Sequence, residues 1–301
     1  MRRDGTERGP GRRILRGAAI ALLCYAVLSF TVTPFVLRQM FPRAGTADPA
    51  ALEGLRRVPF SSGERTLQAY VLDAEGPAGV ALLLHGMNAD ASRMARPMGM
   101  FADRGWTAVA VDLTGAGASE GDWTRGLQQG LFDGRAALAW IESQPQWDGL
   151  PVVAFGHSAG GWATGMLAAD ARVSGVVTLA AFDRPVALML SWAGRSAGPL
   201  AWAEVPFLRL WEAICFGAEA DASAAEAVGG SGKPALVVQG DADETVPPGA
   251  RLSERLAGEN TGALLLLPED AGHGLDGLLD ALPAETLDGF LDAVTRQPDR
   301  K

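Results

Sequence analysis

A serine hydroxyl attacks a carbonyl only when a base removes its proton, so a serine, a histidine and a carboxylate together signal nucleophilic acyl transfer. The chain offers a serine in Gly156-His157-Ser158-Ala159-Gly160-Gly161, a G-x-S-x-G run. Such a run places the serine on a sharp strand-to-helix turn that exposes its hydroxyl, and its glycines permit close backbone approach. The pattern alone discriminates poorly in a chain with 38 glycines, and it recurs at Gly117-Ala118-Ser119-Glu120-Gly121. Context separates the two. Ser158 follows an apolar, strand-length run at 151–155 and precedes small residues (Ala163, Gly165, Ala168, Ala169) that let a helix pack closely. Ser119 follows Asp112-Leu113-Thr114-Gly115-Ala116, already a loop, and Gly121-Asp122-Trp123 leads into no immediate helix. Ser158 is the expected nucleophile.

There are three histidines. His157 neighbours the nucleophile on the turn, so its side chain is expected to point elsewhere. His85 ends the apolar run 80–84, and His273 sits in Ala271-Gly272-His273-Gly274, past the last apolar run and before the last helical pattern. A loop there can swing an imidazole over Ser158, which makes His273 the expected base. The third member must orient that imidazole and stabilise its charged form. Asp243, in Gly240-Asp241-Ala242-Asp243-Glu244-Thr245-Val246-Pro247, is the expected acid; Asp241 and Asp183 are the other candidates on this edge. A tetrahedral oxyanion needs two preset N–H donors. Ala159, after the nucleophile, is one; Met87, after His85-Gly86, is the other.

These residues must be held by a scaffold, and the apolar pattern describes it. Strand-length runs fall at 66–72, 80–84, 107–111, 151–155, 175–180, 234–239 and 262–267, with helical patterns at 92–103, 127–144, 159–171 and 276–295. Continuous apolar character marks strands buried on both faces, and the alternation predicts an α/β fold with a mostly parallel, doubly wound sheet. Sites of such sheets gather at the carboxyl ends of the strands, where the candidates lie. Residues 182–233 break the rhythm and carry Trp192, Trp202, Phe207, Leu208, Leu210, Trp211 and Phe216. They read as a small apolar helical cap, either buried against the sheet or partly lining an acyl pocket.

Ahead of this body, residues 17–37 are 21 residues without a charge, about 31 Å as a helix, which matches the hydrocarbon core of a bilayer. Six Arg precede it within residues 1–16, and only Arg38 and Arg43 follow closely. The expectation is a single transmembrane anchor with the basic segment 1–16 cytoplasmic and the body outside. A cleaved signal peptide is the rival, although Thr31 and Thr33 stand before Pro34 and Leu23 precedes Cys24, a poor match to either cleavage pattern. Residues 38–54, with Pro42, Gly45 and Pro49, read as a linker, and 55–297 as the catalytic domain. The net charge of -9 leaves the rest of the chain at -13 once the basic terminus (+4) is set aside, which argues against nucleic acid as a partner. Two cysteines, Cys24 and Cys215, support no disulfide framework.

The set Leu84-His85-Gly86-Met87, Asp112-Leu113-Thr114-Gly115-Ala116-Gly117-Ala118-Ser119, Gly156-His157-Ser158-Ala159-Gly160-Gly161, Gly240–Pro247 and Gly272-His273 resembles the α/β-hydrolase superfamily. Within it the chain is similar to serine aminopeptidase S33-type and monoacylglycerol-lipase or lysophospholipase-like hydrolases, over about residues 55 to 297. The resemblance implies a triad of Ser158, Asp243 and His273, in that chain order, and an oxyanion hole of the Met87 and Ala159 amides. One departure stands out: those relatives usually carry Arg before the first glycine of the second motif, where this chain has Thr114. The chain has no dinucleotide fingerprint or phosphate loop, since Glu120 and Pro234 interrupt them, and no metal spacing; no cofactor is expected. The function expected is hydrolysis of carboxylic esters through an acyl-enzyme, acting on a small acyl substrate. The alternatives are a peptidase or amidase with the same residues, and a catalytically inactive membrane-tethered binding module.

Overall fold

The computed structural model describes residues 10–122, 125–258 and 261–296. Most of the basic terminus (residues 1–9), Trp123 and the last residues lie outside them. Among the described residues eight strands form one sheet: β1 (Arg56–Ser62), β2 (Arg65–Leu72), β3 (Val80–Leu84), β4 (Thr107–Asp112), β5 (Val152–His157), β6 (Gly175–Leu179), β7 (Ala235–Val238) and β8 (Leu264–Leu266). Their order is β1-β2-β4-β3-β5-β6-β7-β8. β1 and β2 form an antiparallel hairpin and β2 pairs antiparallel with β4; from β4 onward every pair is parallel. The hairpin's outer strand is not apparent from hydropathy. Arg56, Arg57 and Pro59 belong to an exposed edge, where proline and charge are tolerated and deter further pairing.

The helices are α1 (Pro10–Met40), α2 (Ala95–Ala102), α3 (Gln129–Glu142), α4 (Ala159–Leu167) and α5 (Pro185–Ala197). They continue with α6 (Ala201–Phe216), α7 (Ala224–Ser231), α8 (Leu252–Ala257), α9 (Leu275–Asp280) and α10 (Ala284–Thr295). Successive strand residues feed opposite cores, as a pleat requires. Val80, Leu82 and Leu84 join the cluster under α3, α4, α7 and α8, whereas Ala81 and Leu83 join the one under α2, α9 and α10. The helical pattern 276–295 divides into α9 and α10 at Pro283, whose ring cannot continue the ladder.

The break in rhythm at 182–233 holds three helices, α5, α6 and α7. α1 runs on past the uncharged stretch and lies along α6: Tyr25 donates to Glu204 at 2.8 Å and meets Phe207 edge-on, and Phe30 meets Trp211. The stretch 38–54, linker-like in composition, is instead packed on the domain. Phe41 and Leu52 are buried, and Ala44 forms a parallel bridge with Ala116.

The strand order positions the chemistry. β3 and β5 are neighbours, and the chain leaves β3 toward β4 on one side and β5 toward β6 on the other; ligands bind in the crevice at such a switch point. Leu84 pairs with Gly156, which sets the turn after β3 against the turn after β5.

Candidate active site

Ser158 stands between β5 and α4 with φ 56° and ψ −116°, a conformation that side chains adopt only under constraint. The glycines show what imposes it. A Cβ at Gly156 would run into the carbonyl of Gly160, and one at Gly160 into the carbonyl of Leu84. The turn can be this tight only because both lack side chains.

β7 and β8 are neighbours, so the loops leaving them lie side by side, and they carry Asp243 and His273. His273 Nε2 is 2.9 Å from Ser158 Oγ, and its Nδ1 is 2.8 Å from Asp243 Oδ2. The Asp243 side chain is shielded from solvent. Its Oδ2 also accepts from the Gln239 amide at 2.9 Å, and its Oδ1 from the N–H groups of Thr245 and Val246 at 2.8 and 2.9 Å. Burial alone would raise this carboxyl's pKa, but hydrogen bonds from His273, Val246 and Gln239 outweigh it and hold the pKa below the ordinary value. The group is therefore a fixed anion aimed at Nδ1–H, and Nε2 is left to accept the serine proton.

The other two histidines are built into the supports. Leu113 N–H donates to His85 Nε2 at 3.1 Å, so the proton sits on Nδ1 and is donated to the Gly86 carbonyl at 2.8 Å. His85 is buried, and burial lowers its pKa, so this neutral tautomer braces the turn that presents Met87. His157 does point away from Ser158, as its place on the turn requires, but it has a task of its own. Its Nε2 donates to the backbone carbonyl of His273 at 2.8 Å, and the two rings lie 5.1 Å apart. Burial pushes its pKa down to about 4, which keeps it neutral. No sequence pattern signals either task, since both depend on loops far away in the chain.

Ala159 opens α4, where an N–H has no acceptor within the helix. Gly86 sits so close to Ser158 that an added Cβ would lie 3.3 Å from Ser158 Cβ. Met87 follows it, on the same rim as Ala159.

The remaining candidates stand apart from this cluster. Ser119 is buried, donating to Asp112 O and accepting from Gln68 N–H. Asp183 is buried at the start of α7, where it accepts from Ser223 Oγ and Ala225 N–H. Asp241 is exposed, with its carbonyl bound by Arg251. Thr114, at the departure from the family pattern, bonds through both its N–H and its hydroxyl to the buried Asp133. Among the described residues no group of three or more His, Cys, Asp or Glu could hold a metal ion.

Beside the Met87–Ala159 rim is a cavity of about 40 Å³. Leu113, Leu127 and Gly130 line it, and so do Phe41, Pro42 and Ala44 from the segment after α1. No residue of 182–233 lines it, which removes this cavity from the cap's possible roles. Trp192 of α5 instead donates to the Thr245 carbonyl, beside the Asp243 turn, while Trp202 on α6 is 71% exposed.

Residues 75–210 match the family model described as serine aminopeptidase, S33. No curated protein matches the chain in sequence. Among solved structures, the chain is similar to the esterase Pf2001 of Pyrococcus furiosus, with TM-score 0.61, 18% identity, and coverage of 83% of this chain and 96% of that one. It is also similar to Est1E of Butyrivibrio proteoclasticus, solved with ferulic acid (TM-score 0.59, 16% identity, 79% and 100% coverage). TT1662 of Thermus thermophilus gives TM-score 0.57 at 21% identity, over 81% and 99% of the two chains. With this sheet order, this strand-to-helix turn and these likenesses, the chain has the α/β-hydrolase fold.

Proposed function

We propose that the protein is a membrane-anchored serine hydrolase that cleaves carboxylic esters through an acyl-enzyme. One observation carries the reading: Ser158, His273 and Asp243 form a continuous hydrogen-bonded relay, at 2.9 and 2.8 Å, at the end of the sheet. Ser158 Oγ bonds to the ester carbonyl carbon as His273 Nε2 takes its proton, and the imidazolium formed is stabilised by Asp243. The Met87 and Ala159 N–H groups receive the charge on the carbonyl oxygen. Collapse breaks the bond to the alcohol oxygen, which leaves with the proton from His273. Water, deprotonated by the same histidine, then releases the acid and restores Ser158.

The family model's description favours a second reading, removal of amino-terminal residues by the same groups. That substrate brings an α-ammonium, which needs an anionic partner when withdrawn from water. The cavity beside the oxyanion rim has no Asp or Glu in its lining. An ester with an uncharged acyl group suits it better.

The membrane part of the proposal rests on α1. Its stretch Arg13–Met40, 28 residues containing an 18-residue window of mean hydropathy 2.2, is long and apolar enough to cross a bilayer, and Ile14, Leu15, Leu22 and Leu23 lie exposed along it. The Arg-rich terminus favours a cytoplasmic N-terminus. A panel of p-nitrophenyl esters and aminoacyl p-nitroanilides, assayed with the full-length chain in detergent, tests the reading. Turnover of esters at least a hundredfold above anilides is expected; the reverse preference would establish the peptidase.

A further inference from the structure

In ester cleavage the departing alcohol must take its proton from His273 Nε2, so it occupies the histidine's side of the nucleophile. The acyl substituent then extends the other way. The cavity at the Met87–Ala159 rim lies in that direction, for its lining includes both oxyanion residues and not His273. Its wall is completed by chain that leaves the apolar helix, not by the cap.

That wall is firmly held. Phe41 N–H closes the last turn of α1 on the Leu37 carbonyl at 2.9 Å, and its ring is 1% exposed. Ala44 N–H donates to Gly115 O and Ala44 O accepts from Gly117 N–H, both at 2.9 Å. Between them the Arg43 guanidinium donates to three carbonyls of one loop, those of Gly117, Ser119 and Gly121. Gly117 and Gly121 have φ of +47° and +110°, left-handed conformations that let the loop turn these carbonyls toward one point. The glycine-rich motif at 115–121, which carries no catalytic group, therefore acts as the receptacle for Arg43 and Ala44.

We propose that residues 41–44 form the specificity-determining wall of the acyl pocket, clamped by Arg43, so that the chain leaving the membrane helix sets the acyl size accepted. The inference rests on Ser158 acting as the esterase nucleophile. A cavity of about 40 Å³ holds about three waters or a like number of acyl carbons. The substrate class is thus short acyl esters, acetyl to butyryl, with longer chains stopped at Phe41.

Two substitutions in the full-length chain, in detergent micelles, move the limit in opposite directions. Phe41→Ala opens the end of the pocket, and kcat/KM for p-nitrophenyl octanoate relative to acetate should rise at least tenfold. Ala44→Leu fills it, and the ratio for butyrate relative to acetate should fall at least tenfold. A ratio is the right readout because a wall that merely stabilised the fold would scale every ester alike. Labelling of Ser158 by a fluorophosphonate accompanies each assay. If wild type labels and hydrolyses esters but both ratios stay within twofold of wild type, the wall assignment falls and the esterase reading stands. If one variant does not fold, the ratio from the other decides alone. If wild type neither labels nor hydrolyses esters, the esterase reading fails and this inference with it.

Discussion

Glu212 on α6 gives a sharp test of how the cap is held to the body. Its side chain is fully buried, and neither carboxyl oxygen has a hydrogen-bond partner. It faces the segment carrying Gly126 and Gln128, where a Cβ on Gly126 would come within 2.7 Å of Gln128 Oε1 and 3.2 Å of Glu212 Oε2. Burial, aided by the charge on Asp221 and only partly offset by the Gln128 side chain, pushes its pKa from 4.5 up to about 8. Between these pH values the unfolded chain surrenders the proton and the folded chain keeps it. The group's full stability is present below pH 4.5 and is lost as pH rises to about 8. At about 1.4 kcal/mol per pH unit the interval amounts to at most about 5 kcal/mol, and local rearrangement or water entry reduces it. Glu212→Gln removes the ionisation and keeps the shape. Thermal unfolding of the full-length protein in detergent should show the variant gaining at least about 5 °C more over wild type at pH 8 than at pH 5. An equal difference at the two pH values would mean that the fold does not hold Glu212 protonated.

Asp243→Asn should lower kcat about 10⁴-fold by leaving His273 without its anionic partner, whereas Asp183→Asn should lower Tm through α7 and spare kcat. Assaying both variants beside their melting curves separates the two roles. Gly86→Ala introduces a Cβ 3.3 Å from Ser158 Cβ and from the His157 carbonyl, so the Met87 turn must shift. Its kcat should fall by about 10² to 10³ with KM little changed; wild-type kcat in a folded variant would remove Met87 from the oxyanion hole. His157→Leu deletes the donor to the His273 carbonyl, and kcat should fall. Because burial holds His157 neutral down to about pH 4, the acid limb of the pH–rate profile should not move between pH 5 and 8, and a displaced limb would contradict the positioning role.

Much of this architecture is legible in the sequence because buried parallel strands must be apolar throughout. Val80–Leu84 and Thr107–Asp112 announce themselves that way, and the chemistry then falls at their ends. The local constraint on Ser158 is also local in sequence, since Gly156 and Gly160 are needed by the turn itself. What escapes is set by distant partners. β1 is an exposed edge strand with Arg and Pro, so its pairing with β2 leaves no apolar trace. The stretch after α1 has the prolines and glycine of a linker, yet Phe41 and the Arg43 clamp bind it to a loop about 75 residues away. His85 and His157 look like bystanders to Ser158 until the fold brings Leu113 and the His273 carbonyl within reach.

A fluorophosphonate probe reports directly whether Ser158 is the nucleophile. Reacted with the full-length protein and mapped by peptide mass spectrometry, the probe should modify the peptide containing Ser158. Ser158→Ala should lose both the label and ester hydrolysis, by about 10⁴- to 10⁶-fold in turnover, with an unchanged melting temperature. Persistent labelling or hydrolysis in Ser158→Ala, or their loss in Ser119→Ala with Ser158 intact, would place the nucleophile elsewhere.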